Sequence, residues 1–191
     1  MPNDADSIEL GEHELREIAG YAAQCARRVL PLYERGLPVG APATSDAAGV
    51  PDARPRAAVE AAEAFAAGGR RTSALRQAAW AAYKAAQEAQ ETGTPAAVDA
   101  ARAASHAAAA AFLHPKASAH QVKHVLGAAA HAARAEELAS EAEPGITVGT
   151  LEWARRHRPD AVTAVLRRLP AAPPGGGRVG ELIRALDAAL R

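Results

Sequence analysis

Alanine decides what this chain can fold into. It supplies 54 of the 191 residues. Alanine has the highest helix propensity of any residue, because it loses no side-chain entropy on ordering. Only 39 residues remain for all the other apolar types, and 7 of those are Phe, Trp or Tyr. A chain this poor in β-branched and aromatic side chains does not build a β-sandwich or a barrel. The expected fold class is all-α, an Ala-rich multi-helix bundle of antiparallel helical hairpins. A buried methyl-sized group contributes about 0.8 kcal/mol, so many close helix contacts must replace a few large core residues.

The pattern of breakers divides the chain. Leu15, Ile18, Ala19, Ala22, Ala26, Val29 and Tyr33 recur on one face of a first helix from about Glu12 to Leu30 or beyond. Cys25 lies at the edge of that face and reads as a small buried hydrophobe. Pro31 is expected to kink or end the helix. Residues 36–51 are rich in Gly, Pro and small polar residues and read as a loop. Asp52 can cap a second helix that Gly68 and Gly69 stop. Thr72 or Ser73 caps a third, ending near Glu91, and Thr94-Pro95 starts a fourth that reaches Leu113. Ser118 caps a fifth, from Ala119 to about Glu141, which Pro144-Gly145 breaks. Two short helices follow, near 150–157 and 160–168. The expected organisation is one helical domain over 1–169, a Pro/Gly linker over 170–178, and a last helix over 179–191 that docks on the body or on a partner.

Charge and motifs exclude more than they identify. Lys plus Arg equals Asp plus Glu at 22 each, so the net charge is zero, which argues against a nucleic-acid or acidic-membrane binder. The total hides an asymmetry: residues 1–20 carry six acids and one base, and residues 151–191 carry eight bases and four acids. These ends either pair with each other or offer complementary surfaces to a partner. One Cys allows no internal disulfide. The acidic start lacks the basic and apolar regions of a secretory signal, and no apolar run approaches the roughly 18 residues of a membrane span. The chain reads as cytoplasmic. No phosphate loop, nucleophile elbow, HExxH or CxxC occurs.

Histidine is the side chain that stands out. Five of the seven lie between residues 106 and 131. On an ideal helix His120, His124, Gly127 and His131 fall on one stripe, opposite Val122, Val125, Leu126, Ala129 and Ala133. Three readings stay open: hydrogen bonds within the fold, a partner-binding or pH-sensitive surface, or a metal site. For a metal, His120 and His124 could chelate at i and i+4, with a third ligand from His106, His114 or a carboxylate. Asp52, Arg54, Pro55 and Arg56 form a second constellation, a local charge network or an exposed arginine pair for a partner's carboxylate or phosphate. Trp153, beside an Arg-rich run, is a packing anchor or a binding hot spot. Trp80 and Tyr83 form a stripe with Gln87 that reads as packing.

Three stretches together carry a resemblance: LREIAGYAAQCARRVLPLYE, DARPRAAVEAAEAFAAG, and AARAASHAAAAAFLHPKASAHQVKHVLGAAAHAARAEEL. Over about residues 12–140 the chain resembles the all-helical immunity proteins of bacterial polymorphic toxin systems. Asp52, Arg54, Pro55 and Arg56 match that family's Asp-x-Arg-Pro-Arg turn, and His106, His114, Gln121, His124 and Gly127 match its histidine region. The chain departs from the pattern in its long loop before Asp52 and in lacking an acidic residue between Pro115 and Gln121.

The resemblance implies a small protein that neutralises a toxin by binding it, without catalysis and without a cofactor. Its partner would be a toxin-like protein, not nucleic acid or membrane, and self-association through the last helix stays open. Some relatives carry the label of a large DNA-repair exonuclease subunit. That role needs a nucleotide-binding core and long coiled-coil arms, and this chain has neither a phosphate loop nor sustained heptads.

Overall fold

A computed structural model describes residues 7–37, 52–142 and 149–191. Among them are eight α-helices and no sheet. They are α1 (Glu12–Arg35), α2 (Arg54–Ala66), α3 (Ser73–Thr92), α4 (Pro95–Ala110), α5 (Val122–Ala142), α6 (Thr150–Arg156), α7 (Asp160–Arg168) and α8 (Gly177–Leu190). Most of the loop expected over 36–51, and the break expected at Pro144-Gly145, lie outside the described residues. None of the described helices is long and apolar enough to cross a membrane.

The organising element is α4. It packs against α1, α2, α3 and α5, so neighbours surround it. A helix enclosed on nearly every side must be apolar nearly all round. Nine of its sixteen residues are buried alanines: Ala96, Ala97, Ala100, Ala101, Ala103, Ala104, Ala107, Ala108 and Ala110. Thr94 caps it, its hydroxyl accepting the Ala97 N–H at 3.2 Å, and Pro95 takes the first helical position, where a missing N–H costs little. Only Gly93 and Thr94 separate α3 from α4, which pack along each other. The larger core side chains, among them Ile18, Tyr21, Val29, Tyr33, Val59, Phe65, Leu126, Leu166 and Leu186, come from the helices around α4.

Pro31 does not end α1. The helix continues through it to Arg35. Leu30 and Tyr33 lie in the core on either side of the proline, and the Gly36 N–H closes the last turn on the carbonyls of Leu32 and Tyr33. Tertiary packing therefore outweighs the one hydrogen bond that proline removes. Other boundaries shift by shorter steps: α4 stops at Ala110 instead of Leu113, and α5 starts at Val122 after a 3-10 turn over Ala119–Gln121. Gly20 serves close approach, because a Cβ there would lie 3.2 Å from the Cβ of Ala66 on α2.

Buried polar groups fasten the C-terminal half. Glu136 of α5 accepts hydrogen bonds from the N–H groups of Gly149 and Thr150 at 2.8 and 2.7 Å and from the Thr150 hydroxyl at 2.6 Å. One carboxylate thus satisfies donors left open at the start of α6, where negative charge is favourable. Arg28 of α1 donates to the same Thr150 oxygen at 2.9 Å, and the Tyr21 hydroxyl reaches the Ala154 carbonyl. Asp187 of α8 accepts the Ala172 N–H at 2.9 Å and the Arg191 Nε–H at 2.7 Å, so it ties the Pro-rich connection back onto α8. Leu182, Leu186 and Leu190 of α8 join the common core, and α8 packs on α5.

The acidic start and the basic end meet. Arg168 of α7 pairs with Glu14 of α1 and donates to the Glu9 carbonyl. Of the two readings left open for these ends, pairing with each other is realised at this one contact. Cys25 is fully buried, and burial pushes its thiol up to about 12, which keeps it an unreactive core group.

Enclosure of α4 sets a mutational expectation. Replacing Ala104, which is fully buried, by Leu overfills the centre and should destabilise by about 1–3 kcal/mol in urea unfolding. The same change at exposed Ala185 should stay within about 0.5 kcal/mol. Equal effects at the two positions would refute the close packing around α4.

Candidate functional site

Four α4 residues break its run of alanines towards one side: Asp99, Arg102, Ser105 and His106. Spacings of three and four place them on neighbouring turns of a single face. Between them they reach two elements, α3 and α5. Asp99 Oδ1 lies 2.6 Å from His131 Nδ1 of α5. The carboxylate can only accept, so the imidazole donates from Nδ1. The guanidinium of Arg102 lies 5.5 Å from the centre of the Tyr83 ring on α3, in cation–π geometry. The Ser105 hydroxyl donates to the Ala79 carbonyl of α3 at 2.9 Å.

His106 is the most constrained of the four. Its ring stacks on His131 at 5.1 Å between centres and 22° between planes, and lies 6.4 Å from His124. Its Nδ1 is buried and makes no hydrogen bond. The ring rests on Gly127: a Cβ built there would fall 2.6 Å from Nδ1. The glycine in the α5 stripe is therefore a seat for His106 of α4. Burial, with the nearby His131 and His124, pushes the His106 imidazole down to about 3. Burial, then Lys123 and His114, also hold His124 below the usual histidine range. The His106 ring is neutral at physiological pH.

Three of the four members expected on the stripe hold their place. His124, Gly127 and His131 share a face, but His120 falls in the 3-10 turn, is exposed, and stands apart. The turn rotates His120 away from the direction an uninterrupted helix would give it. His114 is exposed beside His124 at the edge of a groove. Gln121 is buried, with its Oε1 unpartnered. No group of three or more His, Cys, Asp or Glu side chains among the described residues is arranged to hold a metal ion.

The Asp52 constellation is a junction of three helices. Asp52 accepts the Tyr33 hydroxyl of α1 at 2.7 Å, the Arg54 N–H at 3.0 Å and the Arg54 side chain at 2.7–3.0 Å. Arg54 also pairs with Glu88 of α3, and Arg56 with Glu34 of α1. Burial works against the Asp52 charge, but the hydrogen bonds from Arg54 and Tyr33 outweigh it and hold the carboxyl below its ordinary value. The cap position of α2 itself falls on Ala53. Trp153 is half-buried, stacked on His157 at 4.6 Å with Arg28 over its ring at 5.3 Å.

A groove of about 540 Å³ runs along α3 and α4, lined by Arg76, Trp80, Tyr83, Phe112, His114 and His124 among others. Trp80 is 61% exposed and stands alone as an exposed large hydrophobic residue among the described residues. This overturns its reading as a packing residue. Leu75, Ala79, Ala82, Ala86 and Ala89 mark the inward face of α3. Arg76, Trp80 and Lys84, four residues apart, form a separate row. That row was the available signal. Tyr83 meets Trp80 edge to face at 5.6 Å, and Arg76 lies 4.5 Å over the Phe112 ring.

Two measurements test the histidine seat. Gly127→Ala should destabilise by about 1–3 kcal/mol, and His106→Ala should remove most of that penalty in a double-mutant cycle. Additive effects would show that the two positions do not touch. For pH, the unfolded chain binds a proton at His106 near pH 6.5, whereas the folded chain does not until about 3. His106 therefore takes away stability as pH falls through this window, by up to about 1.4 kcal/mol per pH unit. His106→Phe should lose less stability than the native chain between about pH 7 and pH 5. Parallel pH curves would refute the assignment.

No curated protein and no solved structure matches the chain. A family profile does, described as Imm-5 like putative immunity protein, over residues 8–161. The match takes in α1 to α6, the Asp52 junction, the histidine seat and the α3–α4 groove. With well over half its length matched, the chain belongs to the Imm-5 like immunity protein family.

Proposed function

We propose that this protein neutralises a bacterial toxin by binding it directly, without catalysis, and that the exposed face of α3 and α4 makes the contact. The supporting observation is Trp80. Its family gives an immunity-type role, and Trp80 is a large apolar side chain left 61% exposed beside Tyr83, Phe112, Arg76 and Arg102. Trp, Tyr and Arg are the residue types that dominate binding energy in protein interfaces. A fixed groove at the centre of a contact of roughly 1,600 Å² would block the toxin sterically. The protein would act in the cytoplasm of the cell that it protects.

The other sequence candidates serve this role at one remove. Arg54 and Asp52 brace α1, α2 and α3 at the border of the face, and His106 with His131 fixes α4 against α5. Trp153 has its ring engaged by His157 and Arg28, away from the groove.

Co-expression with the toxin-like gene next to this one in its genome tests the proposal. The native chain should rescue growth and co-purify with the toxin. Trp80→Ala should weaken the complex by about 2–4 kcal/mol, or about thirtyfold and upward in Kd, with the fold unchanged. Neither rescue nor a complex with the native chain would sink the reading.

A further inference from the structure

The groove on α3 and α4 has a sign as well as a shape. Arg76, Lys84, His114 and His124 line it and the smaller hollow on the far side of Trp80, which Arg54, paired with Asp52 and Glu88, also lines, and no carboxylate lines either one. Arg102 reaches the same face over Tyr83. The carboxylates within reach are already engaged, Glu88 by Arg54 and Asp99 by His131. Among the described residues, Arg76, Lys84 and Arg102 form no ion pair.

Arg16, Arg27, Arg56, Arg134, Arg168, Arg178 and Arg191 are matched within the fold, whereas Arg28, Arg70, Arg71 and Arg184, like the cations of this face, form no ion pair among the described residues. What singles out the α3–α4 face is that its unpaired cations stand beside the exposed Trp80. Arg76 and Arg102 each hold Cζ over an aromatic ring, 4.5 Å from the centre of Phe112 and 5.5 Å from that of Tyr83. Among the described residues neither guanidinium donates a hydrogen bond within the fold, which leaves its N–H groups to meet a carboxylate.

We infer that the α3–α4 groove receives an acidic, amphipathic segment of the partner protein. Its apolar side chains fill the space beside Trp80, Tyr83 and Phe112, and its Asp or Glu side chains pair with Arg76, Lys84 and Arg102. The inference rests on the neutralisation proposal for its biological setting, and it specifies the chemistry that the toxin must offer. Charge complementarity supplies encounter rate and discrimination, and the aromatic groove supplies the anchor. A bare polyanion such as single-stranded nucleic acid satisfies the cations but brings no aliphatic anchor for a groove whose lining is mostly apolar.

The test needs no identified toxin. Fluorescence anisotropy of a labelled amphipathic peptide of Glu, Leu and Phe is followed on the full-length chain. The controls are the Gln counterpart, the Lys counterpart and a single-stranded DNA oligonucleotide. The acidic peptide should bind at least about tenfold tighter than either peptide control, and weaken between about 50 and about 300 mM salt. Arg76→Glu and Arg102→Glu should each cost about tenfold, Trp80→Ala should abolish saturation, and all three should keep the native far-UV spectrum. Equal binding of the Gln peptide, indifference to both charge reversals, or preference for the oligonucleotide would overturn the inference. Rescue in cells separates it from the broader reading. If the native chain and Arg76→Glu/Arg102→Glu rescue alike while Trp80→Ala fails, neutralisation stands and the acidic segment falls. If the native chain fails to rescue while the peptide results hold, the reverse is true.

Discussion

Every other feature of this fold answers to the enclosure of α4. A helix flanked by α1, α2, α3 and α5 leaves room for little beyond a methyl group at most of its positions, and alanine is the one residue that combines that size with strong helix propensity. The surrounding helices carry the larger side chains outward from that axis, so each of them can be ordinary and amphipathic. Alanine abundance is therefore a geometric requirement of the centre, as well as a statement about helix formation at the periphery.

The same enclosure explains where the chemistry-bearing residues lie. Along α4, side chains of any size are tolerated only on the face of Asp99, Arg102, Ser105 and His106. Arg102 and Ser105 meet α3 there, and Asp99 and His106 meet α5. The histidines act as wedges between packed helices. His106 requires a glycine opposite it, and its neutral ring stands with an unmatched Nδ1. Such a group costs stability wherever water is excluded. Its place is kept by stacking on His131, which Asp99 in turn orients.

Much of the fold was legible in the sequence because its signals are local. Thr72, Thr94 and Ser118 each accept a backbone N–H at the start of a helical segment, as their chemistry dictates. Pro31 was misleading because a local rule met buried neighbours: Leu30 and Tyr33 hold the last turn of α1 in the core. The site was less legible because it depends on which faces meet. Five histidines stand out in the chain, yet only His106, His124 and His131 come together. The partner of His131 is Asp99, 32 positions earlier. The Asp52 turn was recognisable as a charge network, but its reach to Tyr33 and Glu88 belongs to tertiary structure. Trp80 looked like packing because tryptophan is usually covered. Only the placement of α3's buried alanines shows that it faces outward.

What covers each helix also argues for where a partner binds. α2, α6 and α7 all pack on α1. α8 packs on α5, pinned by Asp187 and Arg191 to the connection that leads into it. The family match ends at residue 161, before α8 begins, so α8 lies outside the matched stretch and packs on α5 within it. No described helix covers Trp80, and Arg76, Lys84 and Arg102 beside it make no ion pair among the described residues. Charge at the two ends of the chain is partly consumed by the contact of Arg168 with Glu14. On the α3–α4 face, unpaired cations coincide with the exposed apolar surface of Trp80. An exposed apolar side chain of that size costs solubility in a free protein unless something binds it, and the proposed acidic segment would answer both the apolar surface and the charge beside it.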